Sequence, residues 1–172
     1  MKIELKKLKH YEGMSQETNA FSADLYVDGK LAATCRDDGN GGCIGFYTYD
    51  SGCEKGLLKK AEDYCRALPP YIYTHGNGNT TSLGMNLELF VGQIVEDSLK
   101  QKANKKLNAK FKKGICYGNE NFYTIVTWKN LTLEQIMTAK HGREKVSKII
   151  ADLISKGENI LNTNIPRELY PN

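Results

Sequence analysis

The sequence predicts an α+β fold in which an antiparallel N-terminal meander is followed by helices, a second hairpin and C-terminal helices. Three observations lead there. Apolar and polar residues alternate in strand-length runs within the first 50 positions. The apolar period lengthens to three and four residues beyond position 53. Ser51/Glu54 and Thr132/Gln135 carry the S/T-x-x-E/Q spacing that opens helices.

Taken in order, Ile3 and Leu5 alternate with charged residues, and Phe21, Ala23, Leu25 and Val27 alternate with Ser22, Asp24 and Tyr26, so both runs read as strands. Asp28-Gly29 is a two-residue hairpin signal. Leu31 to Cys35 then returns as a third strand, and Cys43 to Tyr49 follows a glycine-dense loop as a fourth. Behind the Ser51–Glu54 capping box, Leu57, Leu58, Ala61, Tyr64, Cys65 and Leu68 form one face of a helix that Pro69-Pro70 ends. The stretch 71–84, which contains Gly76-Asn77-Gly78-Asn79, has no hydrophobic period and reads as a long loop.

Asn86 is the expected N-cap of a long helix whose face runs through Leu87, Phe90, Val91, Ile94 and Val95 and continues at Leu99, Ala103, Leu107 and Phe111. Ile115 to Tyr117 and Phe122 to Trp128 flank Gly118-Asn119-Glu120-Asn121 as the second hairpin. Thr132 opens a short helix that Gly142 is expected to end. A last helix carries Val146, Ile149, Ile150, Leu153 and Ile154 and stops at Gly157. The tail from Asn162, with Pro166 and Pro171, reads as a surface strap.

With 172 residues and no composition break, the expectation is a single domain, 1–172, large enough to form its core without disulfides or metal. No apolar run approaches the roughly 20 residues that span a bilayer, which excludes a spanning helix. The charged start, Met1-Lys2-Ile3-Glu4-Leu5-Lys6-Lys7, interrupts any secretory apolar region, so a cytoplasmic location is expected. Five cysteines without a C-x-x-C pair point to reduced thiols rather than a disulfide framework or a zinc ribbon. A net charge of +4 is too small by itself to imply a nucleic-acid partner.

The densest local signal is Asp37-Asp38-Gly39-Asn40-Gly41-Gly42-Cys43. Its glycines allow either a tight turn or a cradle for a ligand. It precedes a strand, begins with two acids and matches neither nucleotide-binding glycine fingerprint, so a phosphate cradle is disfavoured. The reading is a hairpin turn with an exposed tip, structural first and a contact surface second. Asp37, Asp38, Gly39, Asn40, Gly41 and Gly42 are the candidate binding residues.

The calcium-loop spacing is absent, and Cys35, Cys43 and Cys53, which a soft metal would need to gather with His10 or His75, stand at separations no zinc module uses. No metal and no cofactor are expected. No nucleophile signature surrounds any cysteine or serine, so no catalytic residue is assigned and an enzyme is the less favoured class. Seven lysines and no acid lie between Lys100 and Lys113. Lys105, Lys106, Lys110, Lys112 and Lys113 are candidates for contact with nucleic acid or an acidic protein surface, with Phe111 and Tyr117 available to stack on bases. The alternative is a solvated helix face.

The run from Leu25-Tyr26-Val27-Asp28-Gly29-Lys30 to Gly39-Asn40-Gly41-Gly42-Cys43, then Leu68-Pro69-Pro70, Met85-Asn86-Leu87-Glu88-Leu89-Phe90 and Ile160-Leu161-Asn162, resembles a family of small phage- and prophage-encoded proteins for which no activity is established. The resemblance spans most of the chain and implies a phage accessory protein in the cytoplasm of a bacterial host. Such proteins commonly block host machinery or host defence, CRISPR effectors included, by stoichiometric binding. A host protein is therefore the expected partner. Nucleic-acid binding through the lysine helix and sequestration of a nucleotide or signalling ligand are the alternatives, and no membrane partner is expected.

Overall fold

The structure is a computed structural model describing residues 1–48, 53–119 and 122–171. The chain forms two compact units, Met1–Leu99 and Lys100–Asn172. The fold class is α+β, with the N-terminal antiparallel sheet, the hairpins and the C-terminal helices in the expected order.

In the first unit, β1 (Ile3–His10), β2 (Phe21–Val27), β3 (Lys30–Asp37) and β4 (Gly45–Tyr47) form one antiparallel sheet in chain order. β2 and β3 meet at the Val27↔Lys30 pair across Asp28 and Gly29, whose φ values of 48° and 83° are both left-handed, as a two-residue hairpin turn requires. The alternation seen in the sequence sets the face: Phe21, Ala23, Leu25 and Val27 are buried and their neighbours are half-buried. That face is covered by Leu57, Ala61 and Cys65 of α1 (Leu57–Arg66) and by Leu87, Val91 and Val95 at the start of α2 (Leu87–Phe111). Asn86 caps α2 as expected, accepting from Leu89 N at 2.7 Å. α1 begins after Gly56, whose φ is 81°, and Ser51 of the expected capping box lies outside the described residues.

The stretch 71–84 is not a structureless loop. It forms the hairpin of β5 (Tyr71–Thr74) and β6 (Thr80–Leu83), turned by His75 N donating to Asn79 O at 2.7 Å and Asn79 N donating to Asn77 Oδ1 at 3.0 Å. Apart from half-buried Tyr71, its strand residues are exposed, so neither face leaves the apolar alternation that a sequence reading relies on.

In the second unit, β7 (Gly114–Gly118) pairs with β8 (Tyr123–Thr127), and Glu120 and Asn121 of the expected turn lie outside the described residues. Ile115, Leu133, Ile136, Val146, Ile150, Leu153, Ile165 and Leu169 form the core. α3 (Leu133–Thr138) has the complete capping box: Gln135 N donates to Thr132 Oγ1 at 3.2 Å, and Thr132 N to Gln135 Oε1 at 2.8 Å. Gly142 does not end α3. It is the first residue of α4 (Gly142–Ser155), packed so closely that a Cβ would run into the Ile136 carbonyl.

The tail, expected as a surface strap, is part of this core. Leu161 N donates to Cys116 O at 2.9 Å and Gly118 N to Asn159 O at 2.8 Å, so the chain returns along β7. Asn162, only 7% exposed, accepts from Cys116 N at 2.6 Å and donates to Gly114 O at 3.1 Å, while Ile165 and Leu169 bury their side chains. A buried asparagine amide presents donors and an acceptor together, which suits it to joining a strand end to a returning segment.

Candidate functional site

The loop from Asp37 to Cys43 interlocks with the segment before β2. The Gly39 carbonyl accepts from the backbone N–H groups of Gln16 and Glu17 at 2.9 Å each and of Thr18 at 3.3 Å. Asp37 Oδ1 accepts from Thr18 Oγ1 at 2.8 Å and from Gly39 N at 2.7 Å, and Asp38 Oδ1 accepts from Asn40 N at 3.1 Å. Gly39 is buried at φ +86°, where a Cβ would collide with the Met14 carbonyl, and at Gly41, φ +80°, a Cβ would strike the Glu17 carboxylate. Two of the glycines therefore have a structural cause. Asp38, Asn40, Gly41 and Gly42 remain exposed.

Beside this loop lies a groove of about 520 Å³ within the first unit. Asp37 and Gly42 line it, whereas Asp38, Gly39, Asn40 and Gly41 do not. The opposite wall is the start of α2, where Glu88, Gly92 and Glu96, each four residues from the next, fall on one helical stripe. Glu17 completes a set of four carboxylates in the lining, which among the described residues contains no Lys, Arg or His. Glu88 also ties the loop to the helix, its Oε1 accepting from Ile44 N at 3.0 Å.

Gly92 is the telling residue. In a helix interior glycine costs about 1 kcal/mol relative to alanine, yet a Cβ at Gly92 would meet nothing within 4 Å. No packing contact asks for the glycine, and its effect is to deepen the groove. The sequence reading missed Glu17, Glu88, Gly92 and Glu96. The available signal was E-x-x-x-G-x-x-x-E on the polar side of a helix whose apolar side drew the attention.

At the groove's edge, Ser15 of its lining pairs with His10, which is not part of that lining. His10 Nε2 lies 3.3 Å from Ser15 Oγ, but the Ser15 hydroxyl donates to Tyr11 O at 3.1 Å and accepts from Ala20 N at 3.0 Å. With its proton directed to the Tyr11 carbonyl, the Ser15 hydroxyl is not aimed at His10 as general-base activation of a nucleophile needs. His75, on the exposed hairpin, pairs with Thr81 Oγ1 at 2.8 Å. The cysteines are dispersed: Cys43 is exposed, whereas Cys35 is buried and donates to Ala23 O at 3.4 Å, and burial pushes its thiol up to about 12. Among the described residues, no group of three His, Cys, Asp or Glu side chains is placed to hold a metal ion.

Lys105, Lys106, Lys110, Lys112 and Lys113 are all exposed, on the second half of α2 and the turn after it. Phe111 is buried and Tyr117 packs on the second unit's core, so neither is free to stack on a base. The two units differ in sign. Met1–Leu99 has 10 Lys and Arg against 14 Asp and Glu, a formal −4, and Lys100–Asn172 has 14 against 6, a formal +8.

Comparison with known protein families, characterised proteins and solved structures finds no match. Among the described residues, no helix is long and apolar enough to cross a membrane.

Proposed function

We propose that the chain is a non-enzymatic binding protein, a phage-type accessory factor that occupies a host protein stoichiometrically as a counter-defence, anti-CRISPR-like, or host-takeover inhibitor in the bacterial cytoplasm. The observation that supports binding is the groove beside Asp37 and Gly42, deepened by a helical glycine that packing does not require. Its four carboxylates favour a partner segment that presents Lys or Arg side chains, and the interlocked loop holds one wall in place before the partner arrives, which limits the ordering cost of association. A nucleotide suits this lining poorly, because a phosphate entering it meets Glu17, Asp37, Glu88 and Glu96 and, among the described residues, no cation. The host-directed role rests on the resemblance to phage-encoded proteins.

Gly92→Leu fills the groove at a position where the added side chain starts in open space and helix propensity rises, so the variant should fold. Affinity capture from a bacterial lysate is expected to recover one host protein at equal stoichiometry with the native chain and to lose it with Gly92→Leu. Recovery of no stoichiometric partner, or equal recovery by the variant, sinks the proposal.

A further inference from the structure

We infer that the second half of α2 binds the phosphate backbone of duplex nucleic acid, independently of the groove. The sequence between Asp97 and Glu120 has no acid, so a lysine from Lys102 onward has no carboxylate one turn away. Among the described residues, Lys102, Lys105, Lys106, Lys110, Lys112 and Lys113 enter no ion pair, whereas the basic side chains elsewhere that do include Lys59, Lys148 and Lys156. At about 100° per residue, Lys102, Lys105, Lys106 and Lys110 fall within an arc of roughly 140° on the side away from buried Phe111. Over the ~12 Å from Lys102 to Lys110 a duplex advances by only three to four base pairs. Lys112 and Lys113 extend the stripe into the turn at the helix end.

Like charges crowded on one face weaken a helix by a few tenths of a kcal/mol per pair, so the arrangement carries a local cost that a polyanion would remove. Two observations choose the occupant. Protein interfaces need an apolar centre and are depleted in lysine, yet Gln101 to Lys110 exposes no large hydrophobic side chain. Single strands are held by base stacking, and the two nearby aromatics are committed to packing. What remains is a row of point charges, sufficient for sequence-independent contact with a duplex. Nearly all of the unit's formal +8 comes from the seven lysines between Lys100 and Lys113, so its long-range attraction is centred on this segment.

The test is fluorescence anisotropy of a labelled DNA duplex of about 20 base pairs across a salt series. Engaging all six lysines predicts a slope of log affinity against log salt near −5, at roughly 0.9 per phosphate neutralised. The triple change Lys105→Gln, Lys106→Gln and Lys110→Gln keeps helix propensity and should bring the slope near −3 with affinity down more than tenfold. Lys148→Gln, which removes a lysine already paired with Glu144 at 2.9 Å, should leave the slope unchanged. Far-UV circular dichroism confirms that the triple variant retains its helix. Absence of binding at low salt, or a triple variant with the native slope, overturns the inference. It is equally overturned if polyglutamate displaces the label as well as unlabelled duplex does, which would mark an acidic-protein surface instead.

Discussion

Met1–Leu99 and Lys100–Asn172 bury their cores by different means. The first lays two helices on one face of a four-stranded meander whose burial follows a period of two, and its chemistry is an acidic groove beside an interlocked loop. Among the described residues, the second has only a two-stranded hairpin, too little sheet to be stable alone, and completes it with a returning tail anchored by a buried amide. The first unit therefore draws its stability mainly from apolar area, whereas the second also depends on a polar junction whose loss leaves buried backbone groups unpaired.

The sharpest way to break this comparison is Asn162→Leu. It leaves Cys116 N–H and the Gly114 carbonyl without their partner and should cost about 3 kcal/mol, at the upper end for unsatisfied buried groups. Trp128, the only tryptophan, packs on the second unit's core, so its fluorescence should follow this loss during urea denaturation. Gly39→Ala is the counterpart in the first unit. A left-handed φ and collision with the Met14 carbonyl should together cost about 2 kcal/mol. Its effect should appear as earlier alkylation of Cys35 with little change in the Trp128 midpoint. If both readouts move together in both variants, the two units unfold as one cooperative body.

Alkaline pH probes the first unit without mutation. Burial raises Cys35 in the folded state to about 12, so the unfolded thiol ionises first as pH climbs past its ordinary range. Stability from this group is complete below that range and is lost toward pH 12, at about 1.4 kcal/mol per pH unit. Denaturant midpoints between pH 9 and 11 should fall accordingly and should fall less in Cys35→Ala after correction for its lower starting stability. The smallest effect is a gain: Gly92→Ala should stabilise by up to about 1 kcal/mol, read as a higher melting temperature, because a Cβ meets nothing there. A loss would show that the glycine serves the fold and would weaken the case for the groove.

What the sequence determined by itself is local and periodic. Alternation placed β2 on its buried face, Asp28-Gly29 set the first hairpin, Thr132/Gln135 capped α3 and Asn86 capped α2, because each depends on residues within a turn or a strand of one another. It also exposed the concentration of lysines, since charge can be counted without coordinates. Tertiary structure alone decided what distant residues do together. Gly39 is required by a carbonyl 25 positions earlier, and Gly142 by the close approach of Ile136 rather than by a helix end. The tail became core because Asn162 finds partners 46 and 48 positions away. The candidate site was half legible. Asp37 and Gly42 stand out in a glycine-rich run, whereas Glu17, Glu88, Gly92 and Glu96 gain meaning only where chain return brings two loops and a helix face around one groove. No local period records that meeting, because it is set by packing between segments and not by the spacing within any of them.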